Sequence, residues 1–517
     1  MNGARAVLET ALRGGSRICF ANPGTTEMPL VAALDALPEV RAVLGLFEGV
    51  CTGAADGWAR MRGEPALALL HLGPGLGNGI ANLHNARRAY SPVVNLVGDH
   101  ATWHIANDPP LASDIESLAR PVSRFVRTSR DAASLARDTA DAMRAALEGE
   151  RGVATLVLPA DLQAAEGCAP APVSLPASPA PARDAVERAA RALREAARPL
   201  VLLGGRALRA DALAQAARIA TACGARLVSE VFPAHHERGR GRPPVERLPY
   251  FPEQAAGLLA EHDAVVLAGA TAPVAFFGYA GMPGRLTDDA RTHVAFGPAE
   301  DARAALEALA DALDAPARGA FADASLPPHA APGTAPLTPG SLGVALARAL
   351  PENAIVVDEG ATSSLGFGLA SQGAAPHSML SLTGGAIGQG LPCAVGAALA
   401  CPDRPVVAIQ ADGSAAYTLQ ALWTAARESL DVVVVLCSNR AYRILQIELA
   451  RAGVAEPGPK ARALTNLDAP PLDWAALARG FGLPAAHVRR VETPDALRDG
   501  LAAAFAARGP HLLEAVL

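Results

Sequence analysis

Two residues with oxygen-bearing side chains stand where a hard cation needs them. Asp412 follows the apolar run Val406-Val-Ala-Ile409, in Gln410-Ala-Asp-Gly413-Ser414-Ala415. Asn439 follows the apolar run Val432-Val-Val-Val-Leu436, in Cys437-Ser-Asn439-Arg-Ala441-Tyr442. A helical stretch, about 419–428, lies between them. One strand–helix–strand unit therefore carries both to the carboxyl edge of neighbouring strands, where open α/β sheets bind ligands. Mg2+ takes an octahedron of oxygens, usually one or two side chains completed by phosphate oxygens and water. The Asp412 carboxylate and the Asn439 amide oxygen supply two such ligands, and the Ala441 carbonyl is a candidate third. Gly413 and Ser414 open a helix, whose free N–H groups suit an anion. Either residue alone reads as a turn or a cap, because Asp-Gly is common in turns. The pair, at matched strand ends, reads as a site for a cation bridging a diphosphate.

Three further segments carry chemistry. Glu48 separates the apolar Leu44-Gly-Leu-Phe47 from a small-residue helical stretch reaching Arg60. A carboxylate at a helix start ordinarily serves the helix dipole; a largely buried one can do proton work. His71 ends the run Ala66-Leu-Ala-Leu-Leu70 and precedes Gly73-Pro-Gly75, as a core histidine or as an acid–base group. Leu382-Thr-Gly-Gly385-Ala-Ile387-Gly-Gln-Gly-Leu-Pro392 is dense in glycine, so backbone must come close to something there.

The elements that position these residues follow from composition and pattern. With 517 residues the chain is long enough for about three domains. Half of it is hydrophobic and only 19% is charged, so it folds around large cores. Two Pro-rich stretches, 167–181 and 315–339, read as linkers and place domains at 1–166, 184–314 and 338–517. Each third alternates short apolar runs with helical stretches. The runs are Ser16–Phe20, Ala66–Leu70, Val93–Val97 and Val153–Val157; then Leu200–Leu203, Arg226–Ser229 and Ala264–Leu267; then Ala354–Val357, Val406–Ile409, Val432–Leu436 and His511–Val516. Unbroken apolar strands between helices indicate buried parallel sheets, hence three doubly wound α/β domains.

Composition also excludes functions. A net charge of -6 does not recommend a nucleic-acid partner. Lys460 is the sole lysine, in a turn-like Pro-Gly-Pro-Lys context, which removes P-loop and Schiff-base chemistry. The seven cysteines form no Cys-x-x-Cys pair, so no thiolate zinc site is expected and a reducing compartment is. The N-terminal stretch reads as an amphipathic helix, and no apolar run reaches membrane length. A cytoplasmic protein without a membrane partner is the expectation.

On these residues the chain resembles the thiamine-diphosphate-dependent decarboxylase and acetolactate synthase superfamily. Ala411-Asp412-Gly413 and Ser438-Asn439 are similar to its Gly-Asp-Gly and Asn-Asn cofactor motif. Ala411 and Ser438 are departures that touch neither metal ligand. The Glu48 segment resembles the family's activating-glutamate segment. Asn22-Pro-Gly-Thr25 resembles the benzoylformate decarboxylase loop whose serine contacts substrate, and Leu70-His71 that enzyme's catalytic-histidine loop. Gly73-Pro-Gly75 and Gly388-Gln-Gly390 look more like acetolactate synthases.

The resemblance implies a pyrimidine-binding domain, a central Rossmann-like domain and a diphosphate-binding domain. It implies thiamine diphosphate with Mg2+ on Asp412, Asn439 and Ala441. Glu48, His71 and Thr25 take catalytic places. The Gly385 carbonyl meets the aminopyrimidine, Ile387 wedges the bent cofactor, and Thr362, Gly413, Ser414 and Asn78 touch it. Ile444, Leu445 and Glu448 face the substrate, although Glu448 reads equally as a solvated helix residue. Ile444 stands where benzoylformate decarboxylases carry a small residue, which implies a small aliphatic 2-oxo acid. The activity implied is decarboxylation through an enamine that is protonated to an aldehyde or joined to a second carbonyl. An acetolactate-synthase-like carboligase and a cofactor-binding paralogue without turnover remain open. Gly278 stands where the decarboxylases place a middle-domain histidine, and this favours interception by a second carbonyl. Some relatives bind flavin in the central domain, but Leu200-Val-Leu-Leu-Gly-Gly-Arg206 has no distinct flavin feature, so FAD is not expected. Half-sites on separate chains imply a homodimer or homotetramer.

Overall fold

The apolar runs become the inner strands of three sheets. The computed structural model describes residues 1–175, 177–328 and 333–517; Pro176 in the first linker and 329–332 in the second lie outside it. The first sheet comprises β1 (Ile18–Asn22), β2 (Arg41–Leu44), β3 (Ala66–His71), β4 (Val93–Asp99), β5 (Phe125–Thr128) and β6 (Val153–Pro159). All are parallel, in the order β2-β1-β3-β4-β6-β5. The second comprises β7 (Pro199–Leu203), β8 (Arg226–Ser229), β10 (Glu246–Arg247), β11 (Ala264–Ala268) and β12 (Thr292–Phe296), in the order β10-β8-β7-β11-β12. The intervening β9 (His236–Arg238) leaves this sheet for the third.

The third sheet adds β13 (Ala354–Glu359), β14 (His377–Ser381), β15 (Val406–Ala411), β16 (Val432–Ser438), β17 (Val488–Val491) and β18 (His511–Val516). Its order is β17-β18-β16-β15-β13-β14-β9, with β9 antiparallel at the edge, His377 opposite Arg238. Strands with helices on both faces bury both faces, so β3, β4, β15 and β16 read as continuous Val/Leu/Ile runs. Among the described residues no helix is long and apolar enough to cross a membrane.

Strand order fixes where ligands go. The chain passes from β1 outward to β2, then crosses to β3 on the other side, so loops diverge above β1 and β3. In the third sheet it passes from β13 to β14, then crosses to β15, so loops diverge above β13 and β15. Such switch points open a crevice at the carboxyl edge.

The two outer thirds meet through the helices Glu48–Arg62 and Gly390–Ala400. Small residues let these backbones touch: a Cβ at Gly57 would collide with the Cys393 carbonyl, and one at Gly396 with that of Ala54. Beside this crossing lies a fully buried ion pair, Arg60 to Asp56 at 2.6 Å. Its remaining valences are met across the interface, by Gln389 Nε2 on Asp56 (2.9 Å) and by Arg60 on the Ser381 carbonyl (2.7 Å) and the Thr383 hydroxyl (2.9 Å). A buried pair is tolerable only when its leftover polar atoms are satisfied in this way.

Candidate active site

The first crevice carries proton-handling groups. Glu48 is the first residue of its helix, where the dipole favours the carboxylate. It is half-buried, and its Oε2 accepts from Asn78 Nδ2 at 3.0 Å, so Asn78 acts on Glu48 within the same third. His71 ends β3, and the next residue, Leu72, holds φ +55°, a strained turn that aims the histidine out of the sheet. A Cβ at Gly75 would lie 3.2 Å from Glu48 Oε1 and 3.4 Å from His71 Cβ, so the glycine turn brings these two together. His71 Nδ1 lies 2.8 Å from Oε2 of Glu27. The hydroxyl beside the ring belongs to Thr26, at 3.3 Å from Nδ1, whereas Thr25 is exposed. Sequence reasoning singled out neither Thr26 nor Glu27. The available signal was an acid immediately beyond the Asn-Pro-Gly-Thr loop and just before the helix Met28–Asp35.

The second crevice carries oxygens held by backbone. Asp412 follows β15 and is buried; its Oδ1 accepts from the Gly413 N–H (2.8 Å) and its Oδ2 from the Arg440 N–H (2.6 Å). Asn439 Oδ1 accepts from the Ala441 N–H at 3.0 Å. One turn beyond β16 thus gathers both predicted ligands, with Arg440 at φ +54° as its pivot. Burial pushes the Asp412 carboxyl above the usual carboxylate range, against the pull of the N–H groups. Among the described residues no three His, Cys, Asp or Glu side chains cluster. The donor set is all oxygen and leaves most of an octahedron to phosphate and water, which suits Mg2+.

Gly413 and Ser414 open only a four-residue turn, Asp412–Ala415; continuous helix begins at Gln420. The break is accounted for by Thr418, whose hydroxyl is drawn onto the Gly388 carbonyl (2.9 Å) of the glycine loop. Ser414 is engaged locally, accepting from Gln410 Nε2 (2.6 Å) and donating to the Ala411 carbonyl (3.1 Å). A Cβ at Gly413 would stand 2.5 Å from the Tyr442 ring, so glycine is required there.

The glycine loop is organised by Glu359, which sequence reasoning also passed over. Its Oε1 accepts from the N–H groups of Gly388 (2.7 Å) and Gln389 (3.3 Å). Its Oε2 accepts from the Gly390 N–H (2.7 Å) and Gln410 Nε2 (2.9 Å). Burial raises its carboxyl, and these donors oppose the rise. Gly385, at φ +75°, is exposed at the tip with Phe276 of the middle third against it, and Ile387 is half-buried. Thr362 is half-buried in the turn after β13.

The helix Arg443–Arg451 buries none of its residues. Ile444 is half-buried and Leu445 exposed. Glu448 is neither solvated nor free: Tyr279 donates to its Oε1 at 3.2 Å, and Arg451, 3.7 Å away, is anchored to Glu253 at 2.7 Å. Gly278 faces open space. His235 and His236 are buried elsewhere, His235 bonded to Glu237 at 2.6 Å.

A diphosphate-type crevice on one sheet and a proton-handling crevice on another define a thiamine-diphosphate enzyme, and the chain belongs to that family. Residues 1–117 match the thiamine pyrophosphate enzyme N-terminal TPP binding domain, and residues 358–515 the C-terminal TPP binding domain. The cofactor is thiamine diphosphate. The chain is 50% identical, over 100% of its length and 99% of the relative's, to a Mycobacterium tuberculosis protein named "Putative acetolactate synthase large subunit IlvX". It is 32% identical, over 98% of its length and 97% of the relative's, to benzoylformate decarboxylase of Pseudomonas aeruginosa. The solved thiamine diphosphate-dependent 4-hydroxybenzoylformate decarboxylase of Rhodococcus jostii matches with a TM-score of 0.86 at 26% identity, covering 100% of this chain and 99% of that one.

Proposed function

We propose that this chain is a Mg2+-dependent member of the family that decarboxylates a small aliphatic 2-oxo acid, releasing an aldehyde or joining the remaining fragment to a second carbonyl. The observation that carries this is the single turn gathering Asp412 and Asn439, facing a cofactor loop held by Glu359. When bound, the cofactor supplies a thiazolium that adds to a ketone and accepts the electron pair released with CO2. Asp412 and Asn439, with the Ala441 carbonyl, hold the cation; Thr362 and the Gly413 and Ser414 backbone approach the diphosphate. The Gly385 carbonyl would hold the aminopyrimidine and Ile387 would support the bound cofactor. The Glu48 carboxylate would exchange a proton with the aminopyrimidine of the bound cofactor, and His71 would move a proton at the substrate oxygen, with the Thr25–Thr26 loop beside it. Ile444 and Leu445 narrow the pocket to aliphatic side chains and exclude water.

Ligation is the favoured fate, because Gly278 offers no proton donor and His235 and His236 are buried elsewhere. Leu200-Val-Leu-Leu-Gly-Gly-Arg206 carries no distinct flavin feature, so the reading assigns no FAD. The active unit is a homodimer or homotetramer. The Glu48 carboxylate bonds to Asn78 of its own third, while the diphosphate third exposes Leu365 (58%), Leu369 (83%) and Leu464 (78%), apolar surface that fits a second copy. All seven cysteines are free, in keeping with a cytoplasmic location.

The test is incubation of the full chain, loaded with thiamine diphosphate and Mg2+, with pyruvate, 2-oxobutanoate and benzoylformate. CO2 with a 2-hydroxy-3-oxo acid or acyloin supports ligation, and CO2 with aldehyde supports simple decarboxylation. Cofactor uptake without CO2 from any substrate overturns both in favour of a binding paralogue.

A further inference from the structure

The carboxylate of Glu27 has no exposed surface, yet it lies at the floor of the first crevice. Three donors converge on it: the Gly24 N–H (2.7 Å) and His71 Nδ1 (2.8 Å) on Oε2, and the Thr26 hydroxyl (2.6 Å) on Oε1. An ionised carboxylate only accepts, so the proton on the imidazole belongs on Nδ1 and the free lone pair on Nε2. The site is built for this pair. A Cβ at Gly24 would strike the His71 ring, and one at Gly98, which pairs with His71 across β3 and β4, would strike Glu27 Oε1. Leu72 holds a strained turn to keep the ring in place. The other titratable groups of this cleft are Glu48, Asp99 and His100. Burial raises the Asp99 carboxyl, and the nearby Glu27 adds to the rise.

From this geometry we infer that Glu27 is the positioning residue that fixes the tautomer of His71, leaving Nε2 as the atom that exchanges a proton with substrate. The His71 side chain is 24% exposed and that of Glu27 0%, so the histidine faces the cleft and the carboxylate stands behind it. The assignment rests on the proposed 2-oxo acid reaction for its catalytic consequence, but the tautomer itself is a property of the protein alone.

The experiment uses the full chain labelled with 15N-histidine, His71 being assigned from the signal lost in His71→Gln. Wild type is expected to show His71 protonated on Nδ1. Glu27→Gln keeps that tautomer, because the amide oxygen can take the Oε2 place while its NH2 donates to the Thr26 hydroxyl. Glu27→Leu loses it, and lowers kcat about a hundred-fold with KM and cofactor affinity little changed, Gln falling between. A wild-type His71 protonated on Nε2, or a Leu variant with wild-type kcat, overturns the inference. If Glu27→Leu does not fold, the wild-type spectrum decides alone. If wild type turns over no 2-oxo acid, the functional reading fails while the nitrogen spectrum still decides the role of Glu27.

Discussion

The two crevices open at the carboxyl edges of two sheets and are finished differently. Above β1 and β3 the chain completes its own polar circuit: Glu27 with His71 and Thr26, Glu48 with Asn78. Above β15 and β16 the side-chain oxygens of Asp412 and Asn439 are met by the backbone N–H groups of Gly413, Arg440 and Ala441. Side-chain circuits fix protonation and direction before any ligand arrives. Backbone-held oxygens fix position and leave charge for a cation to meet. The chain thus preassembles its proton-moving half and leaves its anchoring half to be completed on binding.

The largest effect expected from breaking this contrast is at Glu48. Glu48→Gln keeps the shape and an acceptor for Asn78 but removes the exchangeable charge. Turnover should fall about a thousand-fold while cofactor affinity, followed by tryptophan fluorescence quenching, stays as in wild type. Near-normal turnover would mean that the first crevice does not prime the reaction. The converse experiment is Asp412→Ala, which should weaken thiamine diphosphate uptake by at least about a hundred-fold and abolish its Mg2+ dependence. If Asp412→Ala leaves uptake intact and Glu48→Gln lowers it, the two roles are reversed.

Glu48, four residues beyond the half-exposed β2, was legible through the small-residue helix it opens and the family segment it resembles; Asp412 was legible because it closes an apolar strand just before a glycine, a pattern that fixes both strand and loop. The same pattern identified the inner strands and the α/β class. It missed β2, β5, β12, β14 and β17, whose residues mix polar and apolar types, the two-residue β10, and β9, a middle-third strand recruited to the third sheet. Glu27 and Glu359 were invisible for a different reason. Their burial depends on Gly24, Gly98, Gly388 and Gly390, three of which are remote in sequence from the carboxylate they accommodate. Glu448 was ambiguous until Tyr279 arrived from the middle third. Single-strand periodicity holds no information about such long-range partners.

Acid should loosen the joint between the crevices. His235 bonds to the carbonyl of Arg60, the arginine that grips Thr383 of the glycine loop, and His377 stands opposite Arg238 in the β9–β14 pair. Burial pushes both imidazoles down to about 4, with Arg209 adding to the effect at His235 and Arg238 at His377. Glu237, bonded to His235 and Ser378, is held down to about 2 and so stays charged in this window. Between about pH 6.5 and 4 the unfolded chain binds protons that the folded chain refuses, so stability is complete above the ordinary histidine range and is lost as pH falls. The expected result is a Tm that drops steadily over that window. A flat Tm from pH 7 to 4.5 would place these histidines outside the linkage.

The smallest effect concerns selectivity and asks whether the second crevice also shapes the substrate. Ile444 is half-buried on a helix with no buried residue, so trimming it costs little stability. A branched side chain there narrows the space above the metal turn. Ile444→Ala should therefore raise kcat/KM for benzoylformate relative to pyruvate about tenfold, the usual worth of a few methylenes in an apolar pocket. An unchanged ratio would move the selecting wall to the middle third, where Phe276 stands half-exposed against Gly385 with Phe277 packed on it. In that case Phe276→Ala, not Ile444→Ala, would widen the range of 2-oxo acids accepted, and the anchoring half would be left with no part in specificity.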